Sequence, residues 1–173
     1  MLELFEQRRA CRKFDSRPVE KEKIDEIIKA GLLAPSGMGR QTPVIIAISD
    51  KETRDALAKI NKKIMTVGLP FPGDTFYGAP TILLVIAHKK GLSIHDGAAT
   101  IENMLLEATN QGLGSCWIHR ADEEIKNAEV RKLLSFTGLD FDDYVGVGHV
   151  IVGYSLMKEY PKKKIKEGRV FYK

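Results

Sequence analysis

Four short apolar runs constrain the fold of this chain more than any other feature. They are "PVIIAIS" (43–49), "TILLVIAH" (81–88), "GSCWIH" (114–119) and "YVGVGHVIVGYS" (144–155), and none contains Asp, Glu, Lys or Arg. Runs of this length and composition read as buried strands, because a strand covered on both faces loses the apolar/polar alternation of a half-exposed one. Helical patterns separate them without forming a uniform βαβ series. The expected architecture is therefore α+β, a mixed central sheet flanked by helices.

The intervening segments supply the helices. Residues 2–13 read as a short helix with Leu2, Phe5 and Arg9 along one side, followed by an extended link to Pro18. In "EKEKIDEIIKAGLLA" (20–34), Ile24, Ile27, Ile28 and Leu32 fall at helical spacing, and Pro35 stops the helix because it lacks an N–H and clashes inside one. Asp50 is placed to cap a helix over 51–64 with Leu57, Ile60 and Ile64 as its stripe. "DGAATIENMLLEATNQG" (96–112) is apolar almost all round, which predicts a helix buried at the centre. "DEEIKNAEVRKLLSF" (122–136) reads as one further helix, and "RVFY" near the end as an edge strand.

At 173 residues the chain suits a single domain over 1–173 with a real hydrophobic core. Its longest apolar stretch, "ILLVIA", falls far short of the roughly 20 residues of a membrane span. The start, "MLELFEQRR", has no apolar leader region, so a cytoplasmic protein is expected. Cys11 and Cys116 match no metal or CxxC spacing, and the four histidines show no HExxH pattern, so neither a disulfide framework nor a metal site is expected.

The net charge of +4 is unevenly spread. Residues 8–17 sum to +4, residues 158–173 to +5, and residues 18–157 to −3. Basic ends without a basic, aromatic-laced middle argue against a nucleic-acid face. Arg8 and Arg12, and likewise Arg9 and Lys13, are four apart. On one helix face such like-charge pairs repel mildly unless an anion sits between them. The cluster is thus either a solvated face or a phosphate site.

Three other stretches carry candidate chemistry. "LAPSGMGRQTP" (33–43) combines Pro35, Gly37, Gly39 and Pro43 with the polar groups of Ser36 and Gln41. It is either a plain helix–strand connection or a bend that lets main chain approach a flat or phosphorylated ligand. In "GLGSCWIH", Gly112 and Gly114 end the central helix, and Cys116 and Trp117 alternate, one facing in and one out. Cys116 is either inert packing or a nucleophile with His119 or His149 as base. "GVGHVIVG" lies within a strand and so fails the context of a dinucleotide fingerprint.

Taken in order, these pieces resemble the FMN-dependent nitroreductase family. "RRACRKF" is close to its Arg-Arg-Ser-x-Arg-x-Phe start, and "LAPSGMGRQTP" to its Ala-Pro-Ser-x-x-Asn-x-Gln-Pro. "DGAATIENMLLEATNQGLGSCWI" resembles the family's central helix and following strand, and "VIVGYS" with a basic C-terminus its end. The resemblance runs from about Leu4 to Tyr172. It implies an intertwined homodimer with FMN at the subunit interface and 158–173 packing on the partner.

On that pattern Arg8 and Arg9 hold phosphate and ribityl oxygens, with Ala10 beside them, and Arg12 sits near the N1/O2 edge of the ring. Pro35, Ser36, Gly37, Met38 and Gly39 reach the ring from the partner chain, and Gln41 bonds the cofactor. Main chain around Gly114, Ser115, Cys116 and Trp117 lies near the flavin, and Lys162 and Lys164 complete the phosphate cage. Two departures stand out: Ala10 replaces a serine and Gly39 an asparagine, each removing a hydrogen bond worth about 0.5–1.5 kcal/mol.

The implied activity is reduction of nitroaromatics, quinones or similar flat acceptors by NADH or NADPH, in ping-pong order through flavin N5, with no obligatory catalytic acid or base. Other outcomes of the same resemblance are a flavin- or ligand-binding sensor or carrier without turnover, and flavin-dependent dehalogenation or flavin cleavage.

Overall fold

The computed structural model describes residues 2–66, 71–161 and 163–173. Its four strands are β1 (Pro43–Ile48), β2 (Thr81–His88), β3 (Gly114–Ile118) and β4 (Tyr144–Gly153), in spatial order β1-β2-β4-β3. All three pairings are antiparallel. The parallel component of the expected mixed sheet is one isolated bridge, Ala10 with Ser115. The α+β architecture and the four strands agree with the sequence.

β2 shows why the sheet is covered on both sides. Ile82, Leu84 and Ile86 point into one core with Leu57, Ile60, Phe76 and Ile151. Leu83, Val85 and Ala87 point into the other with Ile27, Met104, Ile101 and Val150. Helices α3 (Lys51–Met65), α5 (Ala121–Ile125) and α6 (Ala128–Leu133) supply the first layer, and α2 (Lys21–Leu32) and α4 (Ser93–Asn110) the second. Each buried aliphatic side chain contributes about 1.5–3 kcal/mol, which favours this three-layer arrangement over one exposed sheet face. Within α4 only Ile94, His95, Glu102 and Asn110 are exposed, as the central-helix reading requires.

The register of β2 on β4 slips between Val85 and Ile86: Val85 pairs with Gly148 and Ile86 with Gly146. Val147 is the extra, bulged residue, and it is buried against α4.

Several expectations are corrected. The first helix, α1 (Leu2–Gln7), stops well short of residue 13. Residues 8–14 run extended along β3 and past the end of β4, bridging Ala10 to Ser115 and Phe14 to Ser155. Burial of Cys11 and Phe14 and the hydrogen bonds of an otherwise open sheet edge outweigh the helical spacing of the arginines. The helix expected over 122–136 is two, because Asn127 accepts from the N–H groups of Glu129 (2.8 Å) and Val130 (3.4 Å) and starts a new one. Leu32 is exposed rather than part of the buried stripe of α2, since the helix ends there. "RVFY" forms no strand within this chain, and Val170, Phe171 and Tyr172 are exposed. The cap by Asp50, which accepts from Thr53 N–H at 2.8 Å, is present as read.

Candidate functional site

Leaving α1, the chain turns extended at Arg8 and places three guanidinium groups beside β3. Arg8 Nε lies 3.7 Å from Glu102 Oε1 on α4, a half-exposed pair. Arg9 donates through Nη1 to the carbonyl of Arg8 (2.7 Å) and more weakly to that of Phe5 (3.5 Å), so it holds the open C-terminal end of α1. Its Nε also donates to the carbonyl of Pro161 at 3.2 Å. The two basic ends of the chain therefore meet. Arg12 is exposed, its backbone N–H directed at Met157 Sδ (3.4 Å), and its guanidinium has no ion-pair partner among the described residues.

Ala10 bridges Ser115, and Cys11 N–H donates to the Ser115 carbonyl at 2.8 Å. Ser115 Oγ is buried and has no hydrogen-bond partner among the described residues. An unmet buried hydroxyl costs about 1–3 kcal/mol, so a polar group arriving there would be welcomed. Of the tail lysines, Lys164 is exposed, and Lys162 lies outside the described residues.

Cys116 and Trp117 alternate as read: Cys116 is buried in the core, while Trp117 is 41% exposed. Burial pushes the Cys116 thiol up, against the opposing pull of the Arg12 and Arg8 guanidinium groups. The nucleophile reading is corrected. His149 is held elsewhere, 2.7 Å from Glu124 Oε2, and neither it nor His119 bonds Cys116. The thiol is packing.

The second candidate region is an arch. After α2, Pro35 and Ser36 lead into a tight turn over Gly37–Gly39, and the chain then reaches β1. Met38 (φ 57°), Gly39 (φ 67°) and Gln41 (φ 49°) are all left-handed. Glycine accepts that conformation without cost, and asparagine tolerates it better than most residues. The Gly39-for-asparagine departure therefore preserves the backbone and removes only an amide. Ser36 Oγ accepts from Gln41 N–H at 2.9 Å, closing the arch over a cavity of about 170 Å³ lined by Pro35, Ser36, Gln41, Pro43 and Thr100. Met38 stands out at 88% exposure.

Sequence reading missed the residue that holds the arch. Asp96, in the first turn of α4, is buried and accepts from Gly37 N–H (2.9 Å) and from Thr42 Oγ1 (3.1 Å). An acidic residue inside an apolar helix was the available signal. The arch thus belongs to the N-terminal end of α4, while Arg8 meets the same helix at Glu102, about 9 Å further along its axis. No hydrogen bond or ion pair among the described residues joins the arginine segment to the arch.

Among the described residues there is no metal-ligating cluster, and no helix is long and apolar enough to cross a membrane. The profile of the Nitroreductase family matches residues 5–154. A nitroreductase from Bacteroides fragilis, solved with bound FMN, is 28% identical, covers 99% of this chain and 97% of its own, and superposes with a TM-score of 0.88. An FMN-dependent nitroreductase from Clostridium difficile R20291 is 28% identical over 99% of this chain and 98% of its own, with a TM-score of 0.80. A protein of Archaeoglobus fulgidus, named provisionally as an NADH dehydrogenase/NAD(P)H nitroreductase, is 29% identical over 93% of this chain and 85% of its own length. With the profile spanning most of the chain and the arginine segment, arch, central helix and β3 in their expected order, the chain belongs to the nitroreductase family.

Proposed function

We propose that the protein is an FMN-dependent NAD(P)H oxidoreductase that reduces nitroaromatics, quinones or similar flat acceptors and works as a cytoplasmic homodimer. The observation that carries this reading is the bond from Arg9 to Pro161, which gathers two cationic segments beside the unpartnered Ser115 hydroxyl. The donor set fits a phosphate-bearing flavin: guanidinium forks match phosphate oxygens, and a buried hydroxyl without a partner matches a polar edge of the ligand.

In that role Arg8 and the tail lysines, with Lys162 and Lys164 the foremost candidates, neutralise phosphate. Arg9 fixes the tail against α1 so that those charges stay in place. Arg12, without an ion-pair partner among the described residues, would stabilise negative charge developing on a bound flavin ring. When bound, FMN would supply two-electron redox chemistry between NADH or NADPH and the acceptor. The arch is separate from the arginine segment within one chain, so it serves the site of a second copy, where residues 35–41 cover the ring. The tail, 158–173, packs on that copy as well.

The test is an absorption spectrum of gently purified protein before and after addition of FMN and dialysis. A retained flavin band, bleached by NADPH or NADH and restored by a quinone, is the expected result. Retained flavin that neither donor bleaches would favour a binding role without turnover. Absence of flavin at micromolar protein and excess FMN would return the opening cations to a solvated face.

A further inference from the structure

We infer that Asp96 is a positioning residue for the candidate site, fixing the arch of residues 37–42 in the shape that meets the ligand. The inference rests on the functional reading above. Its own basis is a buried carboxylate with one oxygen committed to each end of the arch. Oδ1 accepts from Gly37 N–H at 2.9 Å, just before the left-handed pair Met38 and Gly39. Oδ2 accepts from Thr42 Oγ1 at 3.1 Å, just after left-handed Gln41.

The residues between these anchors are not docked on the core by their own side chains. Met38, Gly39, Arg40 and Gln41 are all exposed, and no buried apolar side chain among them docks the arch on the core. Two of the three left-handed residues carry side chains, a conformation that a free loop abandons readily. Three internal bonds, from Gln41 N–H to Ser36 Oγ, from Gly39 N–H to the Ser36 carbonyl and from Arg40 N–H to the Gly37 carbonyl, shape the arch without attaching it to the fold. At the Thr42 end the main chain is also tied to β2, His88 N–H donating to the Thr42 carbonyl at 3.0 Å. Side-chain attachment at both ends comes from α4, whose first turn is buried at Ser93, Asp96 and Gly97. Asp96 therefore transmits the rigidity of the central helix to a surface segment, and it does so without touching the ligand.

The chemistry predicts an unusual order of variants. In Asp96→Asn the amide oxygen still accepts from Gly37 N–H, and the amide nitrogen donates to Thr42 Oγ1, which accepts as readily as it donates. In Asp96→Ala both anchors are lost, and in Thr42→Val one is lost. Hydrogen–deuterium exchange at the Gly37 and Gln41 amides reads the arch directly, whether or not flavin is bound. The KM for a quinone against kcat reads its role in the site.

The expected result for Asp96→Ala is amide exchange faster by about tenfold and KM raised by about tenfold with kcat nearly unchanged, the pattern of lost uniform binding. Asp96→Asn should restore both to near wild type. If Asp96→Ala does not fold, Thr42→Val reads the same arch from its other end, with a rise in both quantities smaller than that of Asp96→Ala, because one of the two anchoring bonds is lost. Unchanged exchange in these variants overturns the inference, and so does faster exchange with KM unchanged, since the arch would then be structural only. A wild-type protein that takes up no FMN and reduces no quinone overturns the functional reading and this one together, and is told apart by appearing before any substitution.

Discussion

Arg9 donates from Nε to the carbonyl oxygen of Pro161 at 3.2 Å, across 152 positions of sequence. With two further carbonyls, of Arg8 and Phe5, on its Nη1, this one guanidinium joins the end of α1 to the start of the basic tail. On the proposed function, Arg9→Ala should weaken FMN binding by about tenfold, as expected for loss of the charge-assisted bonds that hold the basic tail. Arg9→Lys should recover only part, because an ammonium cannot fork between separated acceptors. Quenching of flavin fluorescence on titration measures both.

Arg12 should separate from Arg9 in its effect. Its guanidinium is exposed and has no ion-pair partner among the described residues, so removing it breaks no ion pair among them. Arg12→Ala is expected to slow flavin reduction by about tenfold or more at saturating FMN, with thermal stability close to wild type. Stopped-flow reduction by NADPH is the measurement, and an unchanged rate with FMN fully bound would remove Arg12 from the mechanism.

The Glu124–His149 pair lies on the other side of the sheet from α4 and has no part in the proposed site. Both side chains are fully buried, His149 Nε2 is 2.7 Å from Glu124 Oε2, and Asn61 Nδ2 donates to the other carboxylate oxygen. His149 Nδ1 faces the carbonyl of Ile118 at 3.4 Å. His149→Ala would leave a buried carboxyl group without its main hydrogen-bond partner, at about 1–3 kcal/mol. Replacing both residues by apolar ones of similar size should recover much of that loss. Denaturant midpoints of the single and double variants test this, and equal losses in both would show that packing, not charge, is at stake.

Cys116 supplies a prediction with a definite pH sense. Burial raises its thiol above the ordinary range near about 8.5, so alkylation at neutral pH should be slow and leave activity intact. In the unfolded chain the thiol ionises at lower pH than in the folded one. The stability this group contributes is therefore complete below the ordinary thiol range, and it is lost as pH rises through the higher folded value. Cys116→Ala should flatten the fall in denaturant midpoint above about pH 8.5.

Much of the fold was legible because it rests on composition. Leu83 and Leu84 point to opposite faces, yet both are apolar, and that alone marks a strand covered twice. Asp50 was legible as a cap because the contact is local. What misled was charge at helical spacing. Arg8 and Arg12 fit a helix face, but the decisive bonds of their segment go to Ser115 and Ser155, far away in sequence. Asn127 divides a helix whose apolar period runs straight through the break. Asp96 showed as a charge inside an apolar helix, but its role was hidden for the same reason as that of the arginine segment: both its partners lie more than fifty residues away. The residues expected to touch a cofactor came from a family resemblance carried by local motifs, which sequence displays. The residue that supports them acts through distance, which sequence hides.

The single extra residue in β4 has an evolutionary consequence. The bulge directs Val147 onto α4 at Gly97, where a Cβ would come within 2.5 Å of Val147 Cγ2. Gly97 adjoins Asp96, so the bulged residue and the arch meet the same turn of α4. Bulge and glycine should behave as one inherited character: lineages that delete the residue at 147 should also admit larger side chains at 97, and those lineages are where a shifted acceptor range would first be sought.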